Sequence, residues 1–285
     1  MTSRTINRIG YHLFRRPLYA IMSCFSTTHM PPASDDEIDI VIPAIAKDLQ
    51  TLPYCLEGIK RNIPHRVKGI YLVGPADERL INFSKEYGLI FINELEVLGF
   101  GPKDIDYVTT DGRDRSGWLF QQFIKLSGNI GECQNFLTID SDHVLLKPHV
   151  FITNDGKYVF YRSNEFRWSY IMENYRLLGD FKIPMLSYVS HKMIFNKKIL
   201  EKLKITIEQK SGEKWTDSII HTIDRDDSSA FSEFELYASF VDKGQKISKL
   251  WLQKALLREP TFNMDNIKNN NPSLLSITYP EYLNK

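Results

Sequence analysis

The sequence has few cysteines, no excess of charge of either sign and no long apolar run. Its three cysteines are widely spaced, which fits neither a disulfide framework nor a paired-cysteine zinc site and favours a reducing compartment. Lysine and arginine number 36 against 35 acids, so the net charge of +1 gives no reason to expect a nucleic-acid partner. No run approaches the roughly 18 apolar residues of a membrane span. The glycine-rich dinucleotide and P-loop patterns are also absent. We therefore expect a cytoplasmic protein that has no nucleic-acid partner.

The composition is that of a folded chain with an unusual beginning. Hydrophobic residues make up 42% and charged residues 25% of the 285 residues, as in globular domains. Residues 1–34 contain no acid, and their arginines alternate with apolar residues. Such a basic amphipathic extension suits the inner face of an anionic membrane, or it packs on the body or stays disordered. We expect the main domain at residues 35–260 and a strap or tail at 261–285.

Apolar segments alternate with helical patterns after residue 35. Strands are predicted at Ile38–Pro43, Gly69–Pro75 and Leu89–Asn93, with helices at 49–62 and 77–87 between them. Apolar strands separated by helices are typical of a mainly parallel sheet that helices cover on both faces. The sequence therefore predicts an α/β domain whose ligands bind at the carboxyl ends of the strands.

Two carboxylates follow a further apolar strand in the middle of the chain. Asp140 and Asp142 come directly after the strand 135–139, where buried charge requires compensation. Oxygen ligands suit Mg²⁺ or Mn²⁺, so we predict a divalent cation site, although the pair could simply cap a turn. His191, within a strand predicted over 187–195, is a candidate third metal ligand or phosphate contact. An ordinary hydrogen-bonded histidine is the alternative there, as it is for His143 and His221.

The ordered motifs resemble the GT-A class of nucleotide-sugar glycosyltransferases over roughly residues 38–250. The resemblance rests on the strand Asp39–Pro43, on the Asp140-Ser-Asp142 triplet after its strand, and on the segment 232–235. The chain is also similar to a family of uncharacterised bacterial glycosyltransferase-like proteins with a Gly-Trp-x-x-Gln-Gln-x-x-Lys segment, which here is Gly117–Lys125. The resemblance implies a Rossmann-like GT-A fold and a nucleotide-diphospho-sugar donor.

The resemblance also assigns roles to individual residues. It places the nucleotide base against three residues at the end of the first strand, Pro43, Ala44 and Ile45. It gives Asp140 to the ribose and, together with Asp142, to the metal. In such enzymes a divalent cation holds the donor diphosphate, and an acidic residue near the position of 233–235 takes the proton from the acceptor hydroxyl.

The segment 113–125 indicates a polar helix face. Trp118, Gln121, Gln122 and Lys125 recur at helical spacing, while apolar residues supply the opposite side. Adjacent glutamines beside a tryptophan favour a binding cleft over a solvated face, and Arg113, Arg115 and Lys125 could compensate a diphosphate.

Two glutamates are candidates for the general base. Ser232 and Glu235 have capping-box spacing, which offers Glu235 a structural role and leaves Glu233 as the freer carboxylate. The usual Glu-Asp pair of the class is missing, so the base, and with it inversion or retention, stays open between Glu233 and Glu235. The aromatic and cationic segment 166–170 suits acceptor sugars, or it belongs to the core.

The expected function is metal-dependent transfer of a sugar to a hydroxyl of a glycan or glycolipid acceptor, in bacterial surface-polysaccharide or lipopolysaccharide synthesis. The segment 136–145 also fits the haloacid-dehalogenase phosphatase pattern with Asp140 as nucleophile, although that pattern belongs to the first strand of its domain. A non-catalytic nucleotide or sugar-binding module and a metal-dependent nucleotidyltransferase also fit parts of the sequence.

Overall fold

A five-stranded sheet organises the protein. The computed structural model describes residues 3–24, 30–241, 265, 269 and 274–279. The five strands are β1 Glu37–Pro43, β2 Arg66–Gly74, β3 Ile90–Asn93, β4 Asn135–Ile139 and β6 Lys192–Asn196. Their order is β3-β2-β1-β4-β6, with the first four strands parallel and β6 antiparallel to β4. The predicted α/β class, a mainly parallel sheet flanked by helices, is confirmed.

Helices connect and cover the strands. They are α3 Leu52–Asn62, α4 Glu78–Tyr87, α5 Glu94–Leu98, α6 Ser116–Ser127, α7 Trp168–Leu178, α8 Lys197–Ser211, α9 Trp215–Thr222 and α10 Glu233–Val241, with short 3₁₀ turns at Ala46–Gln50 and Pro102–Asp104. The predicted helix 49–62 is divided, because the Asp48 carboxylate accepts from the Ile45 backbone N–H and closes a separate turn before α3.

The strand predicted over 187–195 is wrong in its first half, since β6 begins only at Lys192. The backbone N–H of Ser187 donates to Ser163, and that of Tyr188 donates to the Glu235 carboxylate, so these residues pair outside the sheet. His191 then has a φ of +59°, which ends the extended course before β6.

A short second sheet lies behind the inner strands. Strand β5, His143–Leu145, pairs antiparallel with β7, Ser276–Thr278. The described residues 274–279 of the predicted tail thus lie on the body. Helix α3 packs on β5 so closely that a Cβ at Gly58 would lie 2.8 Å from the Leu145 nitrogen. The chain that follows Asp140 is thereby held between β7 and α3.

The N-terminal segment is helical and docks beside α7. It comprises α1 Ser3–Gly10, a π-helical turn at Tyr11–Arg15 and α2 Arg16–Cys24. The Asn7 side-chain oxygen accepts from the Trp168 backbone N–H at 2.6 Å, and so caps the first turn of α7. Of the helices in the described ranges, none has both the length and the hydropathy of a bilayer span. Through α1, the described part of the N-terminal segment contacts α7 of the main domain.

Candidate active site

The Asp140 carboxylate is held from two sides at the carboxyl end of β4. Lys125 Nζ on α6 donates to Asp140 Oδ1 at 2.5 Å, and His191 Nδ1 donates to Oδ2 at 2.8 Å. The backbone N–H of Asp140 donates to the His191 carbonyl at 3.0 Å. His191 is the one non-glycine residue with positive φ in the described ranges. The strained backbone thus places this imidazole against the carboxylate.

The second carboxylate completes a group that fits a divalent cation. Ligand atoms of Asp140, Asp142 and His191 all lie within 4.8 Å of one another. Burial, with the charge of Asp140, raises the pKa of Asp142 to about 6. Burial also opposes ionisation of Asp140, but Lys125 and His191 outweigh it and hold its pKa well below the usual range. A crowded carboxylate pair with one imidazole is a donor set for Mn²⁺ or Mg²⁺.

Lys125 also binds the candidate base. Its Nζ lies 2.8 Å from Glu233 Oε1, and the two side chains are only 6% and 3% exposed. Burial disfavours the charged lysine, but Asp140 and Glu233 outweigh it and raise the pKa of Lys125. Burial and the charge of Asp140 raise the pKa of Glu233, against the effect of Lys125. One buried cation therefore joins the predicted metal ligand to the predicted base.

These groups line a cleft of about 1000 Å³. Helix α6 and the residue before it supply one wall, on which Arg115 stacks 4.7 Å from the Trp118 ring centroid and Gln122 Nε2 donates to the Trp118 carbonyl. The segment 164–167 and Tyr170 supply the facing wall. Seven predicted residues thus line the cleft, namely Arg115, Trp118, Gln122, Lys125, Asp140, His191 and Glu233, whereas Asp142 is not among its lining residues.

Arg113 and Gln121 are not among the lining residues of this cleft. Arg113 is exposed and pairs with Asp111, two residues before it, next to a side pocket of about 170 Å³. Adjacent residues of a helix point in different directions, so only one of the two glutamines lines the cleft. Gln122 lines it and is 6% exposed, whereas Gln121 is half-buried outside it.

The predicted base-binding residues lie at the same edge of the sheet but outside the cleft walls. Pro43 ends β1, which neighbours β4, and Ala44 is 1% exposed. The Ile45 backbone N–H donates to Asp48. Asp48 lies close enough to Asp142 to raise its pKa further. These three residues therefore lie at the same sheet edge as Asp140 and Asp142. Their contact with the nucleotide base stays a prediction.

Glu235 lies behind the cleft and is occupied by structural hydrogen bonds. Its carboxylate accepts from the Ser187 hydroxyl and, at 3.0 Å, from the Tyr188 backbone N–H. The Ser232 hydroxyl accepts from the Glu235 backbone N–H at 3.3 Å, so one half of the predicted capping box forms. The other half is missing because the Glu235 carboxylate faces 187–188. Of the two candidate bases, Glu233 is the one that lines the cleft.

The other two candidate histidines have separate environments. His143 is fully buried, and its Nε2 lies 3.0 Å from Lys192 Nζ while its Nδ1 contacts Thr278. Burial lowers the pKa of His143, and its ring stacks on His191 at 5.7 Å. His143 therefore packs against the ring of His191. His221 is exposed and pairs with Glu213 at 2.8 Å, far from the cleft walls.

Several cleft residues carry no signal that sequence analysis used. Asn7 and Tyr11 line the cleft from the N-terminal helices, a segment that the sequence predicts only as an extension. Arg167 contacts Glu165 at 2.9 Å and Asp227 at 3.2 Å, joining the acceptor segment to a loop 60 residues away. The aromatic segment 166–170 was a partial signal, but its acidic partners depend on tertiary contacts.

The phosphatase alternative is not favoured. Asp140 follows β4, the fourth strand along the chain, rather than the first strand of the domain. The place of Asp140 along the chain therefore differs from that of the nucleophile in the phosphatase pattern.

Three solved structures are similar to this one. Mouse xyloside xylosyltransferase 1 in its apo form has a TM-score of 0.49 at 8% identity, over 87% of this chain and 99% of that one. An active-site mutant of LgtC has a TM-score of 0.47 at 12% identity, over 85% and 87%. The glycosyltransferase GlyE of Streptococcus pneumoniae TIGR4 has a TM-score of 0.38 at 10% identity, over 86% and 55%.

Sequence comparison adds one match at the level of families. No curated protein sequence matches the chain significantly. A family model described as a family of unknown function, DUF6492, matches residues 76–270, which include β4, Asp140 and Glu233. The chain belongs to the DUF6492 family.

Proposed function

We propose that the protein is a metal-dependent glycosyltransferase of GT-A type, which transfers a sugar from a nucleotide-diphospho-sugar to a hydroxyl acceptor. One observation carries the proposal. Asp140, one of the two carboxylates at the carboxyl end of β4, and the buried Glu233 share Lys125, at 2.5 and 2.8 Å, and all three line a single cleft. This arrangement puts a candidate cation site and a candidate base together, as direct displacement at a sugar carbon requires.

The donor diphosphate would meet positive charge from several elements. Arg115 and Arg167 both line the cleft, and a guanidinium group can form bidentate contacts with phosphate oxygens. Asp140, Asp142 and His191 would hold Mn²⁺ or Mg²⁺. When bound, the cation supplies charge stabilisation to the departing diphosphate. Pro43, Ala44 and Ile45 are the proposed contacts of the nucleotide base.

Glu233 is the proposed general base. It lines the cleft, is 2% exposed, and has a raised pKa because of burial, so a proton taken from the acceptor hydroxyl is well held. Lys125 fixes the carboxylate through Oε1. Glu235 is the weaker candidate because Ser187 and Tyr188 already occupy its carboxylate.

The acceptor would be a glycan or glycolipid. The segment 164–167 and Tyr170 offer amide, charged and aromatic groups on the wall that faces α6, which suits sugar hydroxyls and ring faces. The resemblance of the sequence favours bacterial surface-polysaccharide or lipopolysaccharide synthesis. A cytoplasmic protein that contacts the inner face of the membrane through residues 1–34 would fit that setting.

A thermal-shift screen tests the donor. Nucleoside diphosphates and nucleotide-sugars are added with and without Mn²⁺, because a ligand that binds the folded state raises the melting temperature. We expect a shift that needs the metal and singles out one base. Stabilisation by a phosphate-mimicking fluoride complex with Mg²⁺, and by no nucleotide, would support the phosphatase alternative instead.

A second experiment separates an enzyme from a binding module. Donor hydrolysis and transfer are followed for the wild type, for Glu233→Gln and for Glu86→Gln, an exposed glutamate of α4. We expect Glu233→Gln to lose turnover by about 100-fold or more while it keeps the donor-induced thermal shift. Binding without turnover in the wild type would indicate a non-catalytic module.

A further inference from the structure

An apolar groove of about 390 Å³ opens beside the cleft. The N-terminal helices supply one side, including Ile9 and Phe14, and the segment after α7 supplies the other, including Ile183 and Met185. Phe14 is 65% exposed, Met185 is 64% exposed and Ile183 is 54% exposed. So much exposed apolar surface in one concave place marks an interaction site.

The groove and the cleft share a wall. The Phe166 ring lines both, and it packs directly on Gly10, where a Cβ would lie 2.2 Å from the ring. Trp168 lines the groove two residues further on. A molecule could therefore extend from the cleft across Phe166 into the groove. Its cleft end would meet polar groups and its groove end would meet hydrocarbon side chains.

A buried arginine lies at this junction. Arg15 lines the groove, is 3% exposed, and has its guanidinium carbon 5.5 Å from the Phe166 centroid. Its Nη1 is buried and has no hydrogen-bond partner among the described residues. A buried, unsatisfied charged donor is costly, and an anionic oxygen would satisfy it. A ligand with an anionic group between a polar end in the cleft and an apolar end in the groove would therefore satisfy this donor.

We propose that the groove binds the hydrocarbon chain of an acceptor in which sugar is linked to lipid through phosphate. The phosphate would accept from Arg15 Nη1, and the sugar would reach Glu233. Residues 1–34 contain no acid, and the exposed Arg8 and Arg16 of the same helices add positive charge that suits such a phosphate. The inference rests on the proposed transferase function.

Trp168 allows a direct binding test. Bromododecyl phosphate, below its micellar concentration, is titrated into the full chain while tryptophan fluorescence is recorded, since bromine quenches an indole that it contacts. We expect saturable quenching that Trp168→Phe largely removes. Bromododecyl maltoside should bind at least tenfold more weakly because it lacks the anion. Absence of saturable quenching by the phosphate would overturn the proposal.

Variants locate the site. Ile183→Glu and Met185→Glu change exposed side chains, so folding is expected to survive, and each should weaken binding of the phosphate probe at least tenfold. Ile205→Glu, at a 44% exposed isoleucine of α8, is the matched control and should bind normally. Arg15→Gln should remove the preference for phosphate over maltoside. Equal weakening in the control, or an unchanged preference in Arg15→Gln, would contradict the proposed site.

Other occupants give different results. Flotation with phosphatidylglycerol liposomes, lost in Met185→Glu, without quenching by the monomeric probe would mean that the groove meets the bilayer surface, and would overturn the proposal. A dimer that Met185→Glu dissociates would assign the groove to a second copy and would overturn it equally. The nucleotide thermal shift is measured on the same samples. Probe binding without any nucleotide shift would refute the transferase function separately from lipid binding.

Discussion

Lys125 Nζ lies 2.5 Å from Asp140 Oδ1, and this contact ties helix α6 to the end of strand β4. The same nitrogen lies 2.8 Å from Glu233 on α10. Helix α6, the end of the neighbouring strand β4 and the distant helix α10 therefore meet at one cation that is almost completely buried. Because two carboxylates depend on it, its removal leaves more charge uncompensated than any single surface pair would.

Lys125→Met should be strongly destabilising. The methionine keeps much of the volume but leaves Asp140 and Glu233 as buried neighbouring carboxylates, so we expect the free energy of unfolding to fall by about 3–5 kcal/mol. Urea unfolding measures the loss. Lys68→Met, which breaks the exposed pair with Glu132, is the control and should change stability little.

The double variant Lys125→Met/Glu233→Gln checks the cause. Replacement of one of the two stranded carboxylates by a neutral amide should recover part of the lost stability, so the two effects should not add. Simple additivity would mean that the methionine destabilises by packing rather than by charge.

Asp142→Asn should have opposite effects with and without metal. In the presence of a chelator we expect the variant to melt at a higher temperature than the wild type, because a buried charge beside Asp140 is removed. With excess Mn²⁺ the wild type should gain about 2.7 kcal/mol at a concentration of 100 times Kd, and the variant should gain much less. Calorimetry and thermal melts measure both.

Asp106→Asn is the matched control for the metal effect. Asp106 has a side chain that is 81% exposed and pairs with Arg225 on the surface. Its replacement should leave Mn²⁺ stabilisation as in the wild type. Equal stabilisation of the Asp142 variant by Mn²⁺ would remove Asp142 from the ligand set.

Local patterns were enough to predict the centre of the site. The apolar run of β4 followed by Asp140 and Asp142, and the helical spacing of Trp118, Gln122 and Lys125, are short-range signals that the fold preserves. They located one wall of the cleft and the carboxylate edge. The sheet class followed from the same kind of pattern, since each strand and helix buries its own apolar face.

Long-range contacts set the rest, and the sequence does not display them. Glu235 has the spacing of a capping box, yet its carboxylate binds Ser187 and Tyr188, which lie 48 and 47 residues away. Asn7 caps α7 across a separation of 161 residues. In both cases tertiary packing determines which hydrogen-bond partner the side chain contacts, because several side chains of similar chemistry could serve. Residue type alone does not identify that partner.

Glu173 should make stability depend on pH. Burial raises its pKa from 4.5 to about 7, against the effects of Thr222 and Arg176. The folded state therefore holds the proton more tightly than the unfolded state. Below pH 4.5 the carboxyl is protonated in both states and costs nothing. As the pH rises from 4.5 to about 7, the unfolded chain releases this proton more readily than the folded one. The free energy of unfolding therefore falls, by about 3 kcal/mol in all.

Glu173→Gln isolates this contribution. The difference in unfolding free energy between the variant and the wild type, measured from pH 4 to pH 8, should move in favour of the glutamine as pH rises. Thr222→Val removes the hydroxyl that donates to Glu173 Oε1 at 2.6 Å, so the decline should extend to higher pH. A difference that is constant across this range would show that Glu173 ionises alike in both states.

Gly10→Ala should undock the N-terminal helices. A Cβ at this position would lie 2.2 Å from Phe166, and the aromatic ring is confined by Arg15 and the groove, so one of the two must move. Overpacking of this kind costs about 1–3 kcal/mol. Once α1 moves away, Asn7 no longer caps Trp168, and the exposed Arg8 and the chain around it become a better substrate for a protease.

Limited trypsin digestion followed by mass spectrometry measures this undocking. We expect cleavage after Arg8 to be several-fold faster in Gly10→Ala than in the wild type, while the body of the protein stays intact. Gly117→Ala on α6 is the control, because a Cβ there meets no atom within 4 Å. If both variants are cleaved at the wild-type rate, the close approach of Gly10 and Phe166 does not hold α1 in place. The wall that the cleft and the groove share would then need another anchor.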